Sequence, residues 1–395
     1  MNKKTIRDVD VKGKRVLLRV DYNVPLDEAM KITDDTRIQK SLPTIRYLIE
    51  NGAKVILMSH LGRPKGQVVD KYRLDPVAKR LGELLGKKVL KLNEIYSEEV
   101  LQAVNSLADG EVMMIDNLRF DPREEKNDPE FSRMLASLGD IYVDDAFGAA
   151  HRAHASVEGV TKYLPAYAGF LMESEINSLY PLLESPGRPF IAILGGSKVS
   201  DKLRVIQNLL AKVDSLLIGG GMCFTFLKAQ GIGVGKSILE EDQLDYCKDV
   251  LKEAGKRKVK ILLPVDAVAA NAFAADAQFT SVDIKFIRMD WMGLDIGPKT
   301  VELFKQEING AKTIFWNGPM GVFEWSHFEA GTKAVAQIVA QAKAFTVIGG
   351  GDTVAAVRKY GVENKIDHVS TGGGASLELL EGRELPGITA LLNKE

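Results

Sequence analysis

The residues best suited to chemistry fall into two groups of different character. The first is basic: Arg37, His60, Arg63, Arg119, Arg152 and His154, contributed by four segments far apart in the chain. Guanidinium forks grip phosphate and carboxylate through paired hydrogen bonds. A single arginine is more often a solvated surface charge, so the case for an anion site rests on all of them arriving at one place. The second group is glycine-rich: Gly195-Gly196-Ser197-Lys198-Val199-Ser200-Asp201-Lys202, Gly219-Gly220-Gly221, Trp316 to Glu324, Gly349-Gly350-Gly351-Asp352-Thr353, and Thr371-Gly372-Gly373-Gly374. Small residues let a backbone approach a phosphate, and a helix N-terminus behind them attracts its charge. Lys198 and Lys202 are four apart, which on one helical turn stacks them on the same face. One glycine triplet is usually a tight turn; several strand-to-helix turns of this kind point to a polyphosphate.

Two motifs fail on inspection. Gly235-Lys236-Ser237 resembles the end of a P-loop, but Gln230 stands where its first glycine belongs. Gly231, Gly233 and Gly235 carry Lys236 at the last position of a dinucleotide fingerprint. Both read as turns. His151 and His154 have no nearby carboxylate in sequence to complete a metal site.

The elements that must position these residues are short aliphatic runs alternating with helical stretches, the pattern of a parallel sheet covered on both faces. Strands are expected at 15–20, 54–59, 88–92, 111–115 and 141–143, then at 190–194, 215–218, 260–263, 312–316 and 345–348. Helices are expected at 36–51, 76–85, 199–211 and 241–254. Ligands of open α/β sheets bind beyond the carboxyl ends of strands. The basic group follows strands of the first series and the glycine group follows strands of the second. Two such series predict two doubly wound, Rossmann-like parallel-sheet lobes. The break falls at 170–189, where a helical pattern ends in Ser185-Pro186-Gly187-Arg188-Pro189. The expected division is 1–170, a connecting helix and hinge at 171–186, and 187–379.

With 395 residues the chain is long enough for two cores, and its formal net charge of −1 argues against a nucleic-acid binder working through a global positive field. Two cysteines make no disulfide framework, and no stretch approaches a membrane span. The N-terminus lacks the apolar core of a signal peptide. The expectation is a cytoplasmic protein with neither nucleic-acid nor membrane partners.

Several of these runs together resemble the phosphoglycerate kinase family over essentially the whole chain. They are Arg-Val-Asp-Tyr-Asn-Val-Pro from Arg19, Met-Ser-His-Leu-Gly-Arg-Pro from Met58, Phe-Gly-Ala-Ala-His-Arg-Ala-His-Ala-Ser from Phe147, the Gly195 run, Trp-Met-Gly-Leu-Asp-Ile-Gly-Pro from Trp291, and the Trp316, Gly349 and Thr371 runs. The resemblance implies reversible phosphoryl transfer between ATP and 3-phosphoglycerate with magnesium, in a monomer whose lobes close about hinges. It implies that Asp21, Asn23, Arg37, His60, Arg63, Arg119 and Arg152 hold the phosphoglycerate. Gly196, Lys198, Lys202, Gly220, Gly293, Asn317, Pro319, Glu324, Gly350, Gly351, Asp352 and Thr353 would hold the nucleotide, with Asp352 near the magnesium. Arg37, Lys198, Gly349 and Gly373 would meet the transferring group, and a tail at 380–395 would return to the first lobe. Two departures stand out: Asp116 replaces a usual Glu, bearing on what buttresses Arg119, and Arg288-Met289-Asp290 replaces a usual Pro- and Gly-containing approach to Trp291, bearing on the loop beside Gly293.

A carboxylate acceptor is already ionised at neutral pH and needs no general base, which suits a chain without a His–Asp or paired-carboxylate constellation. The reaction needs alignment and charge cancellation. A nicotinamide-dependent dehydrogenase would require the glycine fingerprint that is missing. A catalytically silent nucleotide-binding protein on the same fold is the remaining alternative.

Overall fold

The computed structural model describes residues 2–394. The chain divides into two compact units, Met1–Asn177 with Glu384–Glu395, and Ser178–Arg383. The division falls inside one 15-residue helix, Phe170–Glu184.

The first unit is built on a parallel six-stranded sheet. Its strands are β1 (Arg15–Val20), β2 (Lys54–Met58), β3 (Val89–Lys91), β4 (Val112–Met114), β5 (Ile141–Asp145) and β6 (Ala166–Ala168), in the spatial order β3-β4-β2-β1-β5-β6. β1 lies centrally and is buried from Val16 to Val20, as expected of an aliphatic strand covered on both faces. Its one polar side chain there, Arg19, is therefore drawn into the core, in register with Met58 on one side and Asp144 on the other. Helix Thr36–Glu50 packs Ile38, Ile45 and Leu48 onto this core. The last residues close the sheet's far edge: the Leu392 amide donates to Ala166, the Lys4 amide to Leu392, and the Gly387 amide to Ala150.

The second unit carries its own core around Ile191, Ile193, Ile314, Trp316 and Ile348. Its main sheet is again six parallel strands: β7 (Phe190–Leu194), β8 (Ser215–Ile218), β9 (Lys260–Leu262), β13 (Thr313–Asn317), β14 (Phe345–Gly349) and β15 (His368–Val369), in the order β15-β14-β13-β7-β8-β9. The order reverses between β7 and β13, the position where doubly wound sheets open a crevice. Between β9 and β13 the chain adds something the expected pattern lacked. An antiparallel three-stranded sheet forms from β10 (Asp266–Ala270), β11 (Phe279–Asp283) and β12 (Met292–Ile296). Both six-stranded sheets are the parallel, doubly wound kind anticipated. Among the described residues no helix is long and apolar enough to cross a membrane.

Candidate active site

At the carboxyl ends of β1, β2 and β5, and in the turn after β4, the first unit gathers a dense set of charges. Asp21 follows β1 and accepts a hydrogen bond from Arg37 Nη1 at 2.5 Å. Burial works to raise the Asp21 carboxyl, but the guanidinium charges of Arg37 and then Arg19 oppose it, and its pKa lies below the ordinary value. His60 follows β2 and is almost fully buried. Burial, then the Arg19, Arg119 and Arg37 charges, push its imidazole well below the usual range against the pull of Asp21. The ring is neutral at physiological pH.

Arg119 lies in the 3-10 turn Leu118–Phe120, donates from Nη1 to the Gly62 carbonyl at 2.9 Å, and approaches Glu125 through Nε at 3.3 Å. His154 is buried, and desolvation with the Arg19, Arg119, Arg152 and His151 charges drops its pKa to about 3. Arg37, His60, Arg119, Arg152 and His154 thus belong to one electrostatic cluster. Asn23 is linked to it through the loop, its Oδ1 accepting from the Gly62 amide at 2.9 Å. Gly62 has φ +64, and a Cβ there would press into the Tyr72 ring, so glycine is required. Arg63 is exposed on the same loop, with no ion pair to the other members.

Three residues that sequence reasoning passed over complete this cluster from beneath. Arg19 donates from Nε to Ser156 Oγ at 2.8 Å, from Nη1 to the Val20 carbonyl, and from Nη2 to His60 Nδ1 at 3.1 Å. Ser156 Oγ in turn donates to Glu124 Oε1 at 2.5 Å, and its amide to Oε2 at 3.0 Å. Glu124 is fully buried; desolvation raises its carboxyl against the opposing effects of Arg19 and Ser156.

In the second unit a cavity of about 590 Å³ opens beside β12, within the range of small-ligand sites. Of the anticipated residues it is lined by Gly196, Gly220, Gly293, Pro319, Glu324 and Asp352; Phe224, Lys236, Ile238, Met292, Leu294 and Met320 supply much of the remaining wall. The apolar share suits a flat heteroaromatic ring, and the glycine turns with Asp352 supply the polar end.

The other anticipated residues sit behind this cavity or away from it. Lys202 is buried with its amine against Asn317 Oδ1, and Asn317 Nδ2 donates to the Gly349 carbonyl at 2.7 Å. Thr353 Oγ1 accepts from the Gly318 amide at 2.6 Å. Burial lowers the Lys202 pKa to about 8, opposed by Asp201 and Asp352.

The expected helical stacking of Lys198 on Lys202 does not form. Ser200–Lys202 is a 3-10 turn and the α-helix begins only at Leu203, while Glu240 accepts from the Val199 and Ser200 amides at 2.6 and 3.1 Å. Lys198 is consequently exposed while Lys202 is buried.

The glycine turns divide into two kinds. A Cβ on Gly220 would lie 2.6 Å from the Gly196 amide nitrogen and 2.8 Å from the Pro319 carbonyl, so this glycine lets three strand-end turns pack together. At Gly351, Gly373 and Gly374 a Cβ would meet nothing within 4 Å. Protein crowding does not explain those.

Both sequence departures are accommodated. Asp116 does not touch Arg119; it is fully buried and pairs with Arg73 at 2.7 Å and Lys91 at 3.2 Å. Arg288 pairs with Asp290 at 2.9 Å and stacks over Trp291, whose carbonyl accepts from the Lys236 amide at 2.7 Å. Ser237 Oγ then takes the Gly293 amide at 2.9 Å, so the Gly235–Ser237 turn is a brace for β12.

Two doubly wound units, one with a cationic sheet edge and one with a glycine-lined crevice, define the class: a phosphotransferase handling small anionic substrates. The phosphoglycerate kinase family model matches residues 6–383. Phosphoglycerate kinases of Pelotomaculum thermopropionicum and Moorella thermoacetica are each 57% identical over 394 residues, covering 100% of this chain and of theirs. Among solved structures, phosphoglycerate kinase from Coxiella burnetii superposes with a TM-score of 0.92 at 41% identity, and that from Pyrococcus horikoshii with 0.84 at 36%. In both cases 98% of each chain is covered. The chain belongs to the phosphoglycerate kinase family.

Proposed function

We propose that 3-phosphoglycerate binds the basic edge of the first unit and ATP the glycine-lined crevice of the second, with direct in-line transfer of the terminal phosphoryl to the substrate carboxylate after hinge closure. Family membership and 57% identity over the full chain support ATP-dependent phosphoryl transfer in glycolysis. The observation that carries the substrate assignment is the cluster of Arg37, Arg119 and Arg152 at one sheet edge beside the neutral His60 ring, a density of positive charge suited to a doubly anionic ligand.

In this reading Arg37 stands over the reacting carboxylate and phosphoryl, while Asp21 restrains its guanidinium. Negative charge spreads over the phosphoryl oxygens in flight, and cationic side chains and amides stabilise it. Lys198 and the Gly373 amide are the matching donors on the nucleotide side. Gly349, through its carbonyl bond to Asn317, holds that side's turn in place. Lys202 neutralises nucleotide phosphate.

Among the described residues no group of three or more His, Cys, Asp or Glu could hold a metal. A single carboxylate suits a magnesium that takes its other oxygens from phosphates and water. Asp352, at the start of helix Gly351–Lys359 and on the cavity wall, fits that donor role. Magnesium there would neutralise phosphate charge. We read the protein as cytoplasmic, a reading supported by two buried free cysteines, and as a monomer on its family resemblance alone.

The direct test is a coupled assay for ATP-dependent phosphorylation of 3-phosphoglycerate by the purified protein. Turnover that depends on both substrates is expected. Nucleotide binding with no turnover would sink the proposal in favour of a silent binding protein.

A further inference from the structure

We propose that Arg19 is a positioning residue: its buried guanidinium holds His60 as the neutral tautomer carrying hydrogen on Nε2, so that the ring offers an N–H donor to the substrate anion. The inference rests on the reading of this edge as the phosphoglycerate site.

A guanidinium has five donors and no acceptor. In the 3.1 Å contact between Arg19 Nη2 and His60 Nδ1 the nitrogen of the ring must therefore be the acceptor. A neutral imidazole with Nδ1 accepting carries its proton on Nε2. Protonating Nδ1 as well would set two donors against each other beside Arg19, Arg119 and Arg37. The site thus gains a donor without adding a further full charge to an already cationic edge.

Arg19 can impose this only if it is itself immobile. It is 1% exposed, on the central strand β1, and three of its nitrogens are engaged. Its counter-charge is equally fixed: Glu124 holds Ser156 by both oxygens, and Ser156 Oγ receives Arg19 Nε. The Tyr142 hydroxyl donates to the Ser156 carbonyl at 2.9 Å and pins the serine from β5. None of these four residues needs to touch substrate. Their common output is the orientation and protonation of His60.

Side-chain ¹⁵N spectra of the wild-type protein without ligands at pH 7 test this directly. A pyridine-like Nδ1 and a pyrrole-like Nε2 on His60 are expected; a pyrrole-like Nδ1, or a doubly protonated ring, would overturn the proposal. In Arg19→Met the His60 signals should move toward a tautomer mixture. KM for 3-phosphoglycerate should rise about tenfold, the scale of a hydrogen bond to a charged group, and KM for ATP should change less than twofold. Unchanged His60 signals in that variant would also overturn it. If Arg19→Met does not fold, Ser156→Ala, which removes one acceptor of the same guanidinium, takes over the comparison with the same signals as readout. His60→Ala with an unaltered KM for 3-phosphoglycerate would instead refute the assignment of the site, whichever tautomer the wild type shows.

Discussion

Arg37 and Lys202 illustrate how differently two cations would serve the proposed reaction. Arg37 is partly open and tethered by Asp21, which on the proposed reading leaves it poised to meet developing charge. Removing one such donor typically costs about 3–4 kcal/mol of barrier. Arg37→Ala should lower kcat by about two orders of magnitude or more and leave the ATP dissociation constant nearly unchanged; near-normal turnover would remove Arg37 from the mechanism. Lys202 is buried, and its lowered pKa of about 8 puts its deprotonation within reach of experiment. Below that pH the amine is charged; above it the free protein must take up a proton to bind phosphate. Nucleotide phosphates are already fully ionised there. ATP affinity should therefore fall as pH rises above 8, approaching about tenfold per unit, and calorimetry on Lys202→Ala should show weaker binding without that slope. A wild-type affinity constant from pH 7 to 9.5 would contradict it. Arg63, Arg119 and Arg152 were legible because each follows a strand end, and Arg37 because it opens a helix. Arg19 was not: inside an aliphatic strand its side chain reads as a break in pattern, and only the register of β1 between β2 and β5 brings it under His60. Glu124 and Ser156 are 32 residues apart, and nothing in their types or spacing couples them.

Elements were legible where they are continuous and aliphatic. β1, β7 and β8 fall where their runs predict, and the boundaries of the other seven expected strands shift by a residue or two; the short edge strands β6 and β15 were not expected. The small antiparallel sheet escaped notice because Phe279–Asp283 is largely exposed and carries no apolar run, being held by pairing with β10 instead. The glycine turns were found, but their reason was only half right. Gly220→Ala should destabilise the protein by about 1–3 kcal/mol, since its Cβ would meet backbone that cannot yield. Gly351→Ala, in open space, should leave urea stability within about 0.5 kcal/mol. Equal losses in both would argue against backbone crowding as the cause.

A second element-scale effect lies at the end of β5. Asp145 is fully buried, its Oδ1 caps the Leu171 and Met172 amides at 2.9 and 3.2 Å, and its Oδ2 has no partner. Burial raises its pKa to about 7. The folded chain then keeps a proton that the unfolded chain releases near pH 4, so stability falls by about 1.4 kcal/mol per pH unit between those values. Asp144 and Asp295, raised by burial to about 7 and about 8, act in the same direction. Asp145→Asn keeps an oxygen for the cap and removes the titration. Its stability relative to wild type should improve from pH 5 to pH 8 in urea melts; a constant difference would show that Asp145 does not titrate in this range.

For the whole molecule, the decisive fact is that each unit owns a complete core, centred on β1, β2 and β5 in one and on β7, β13 and β14 in the other. The chain passes between them twice, within helix Phe170–Glu184 and at Arg383–Glu384. Units with independent cores and few covalent links move relative to one another by default. The proposed closure would then be a population shift, moved by a ligand only through tighter binding to the closed form. On the proposed assignment each substrate alone would contact one unit and gain little from closing, whereas the pair would gain contacts from both. Small-angle scattering should therefore show a radius of gyration that is nearly unchanged with either 3-phosphoglycerate or ATP analogue alone and contracts when both are present. Arg37→Ala, with one cation fewer to meet the nucleotide phosphates, should contract less at the same occupancy. A wild-type profile that is the same with both ligands bound as with none would mean that transfer proceeds without closure, and the hinge would have to be abandoned.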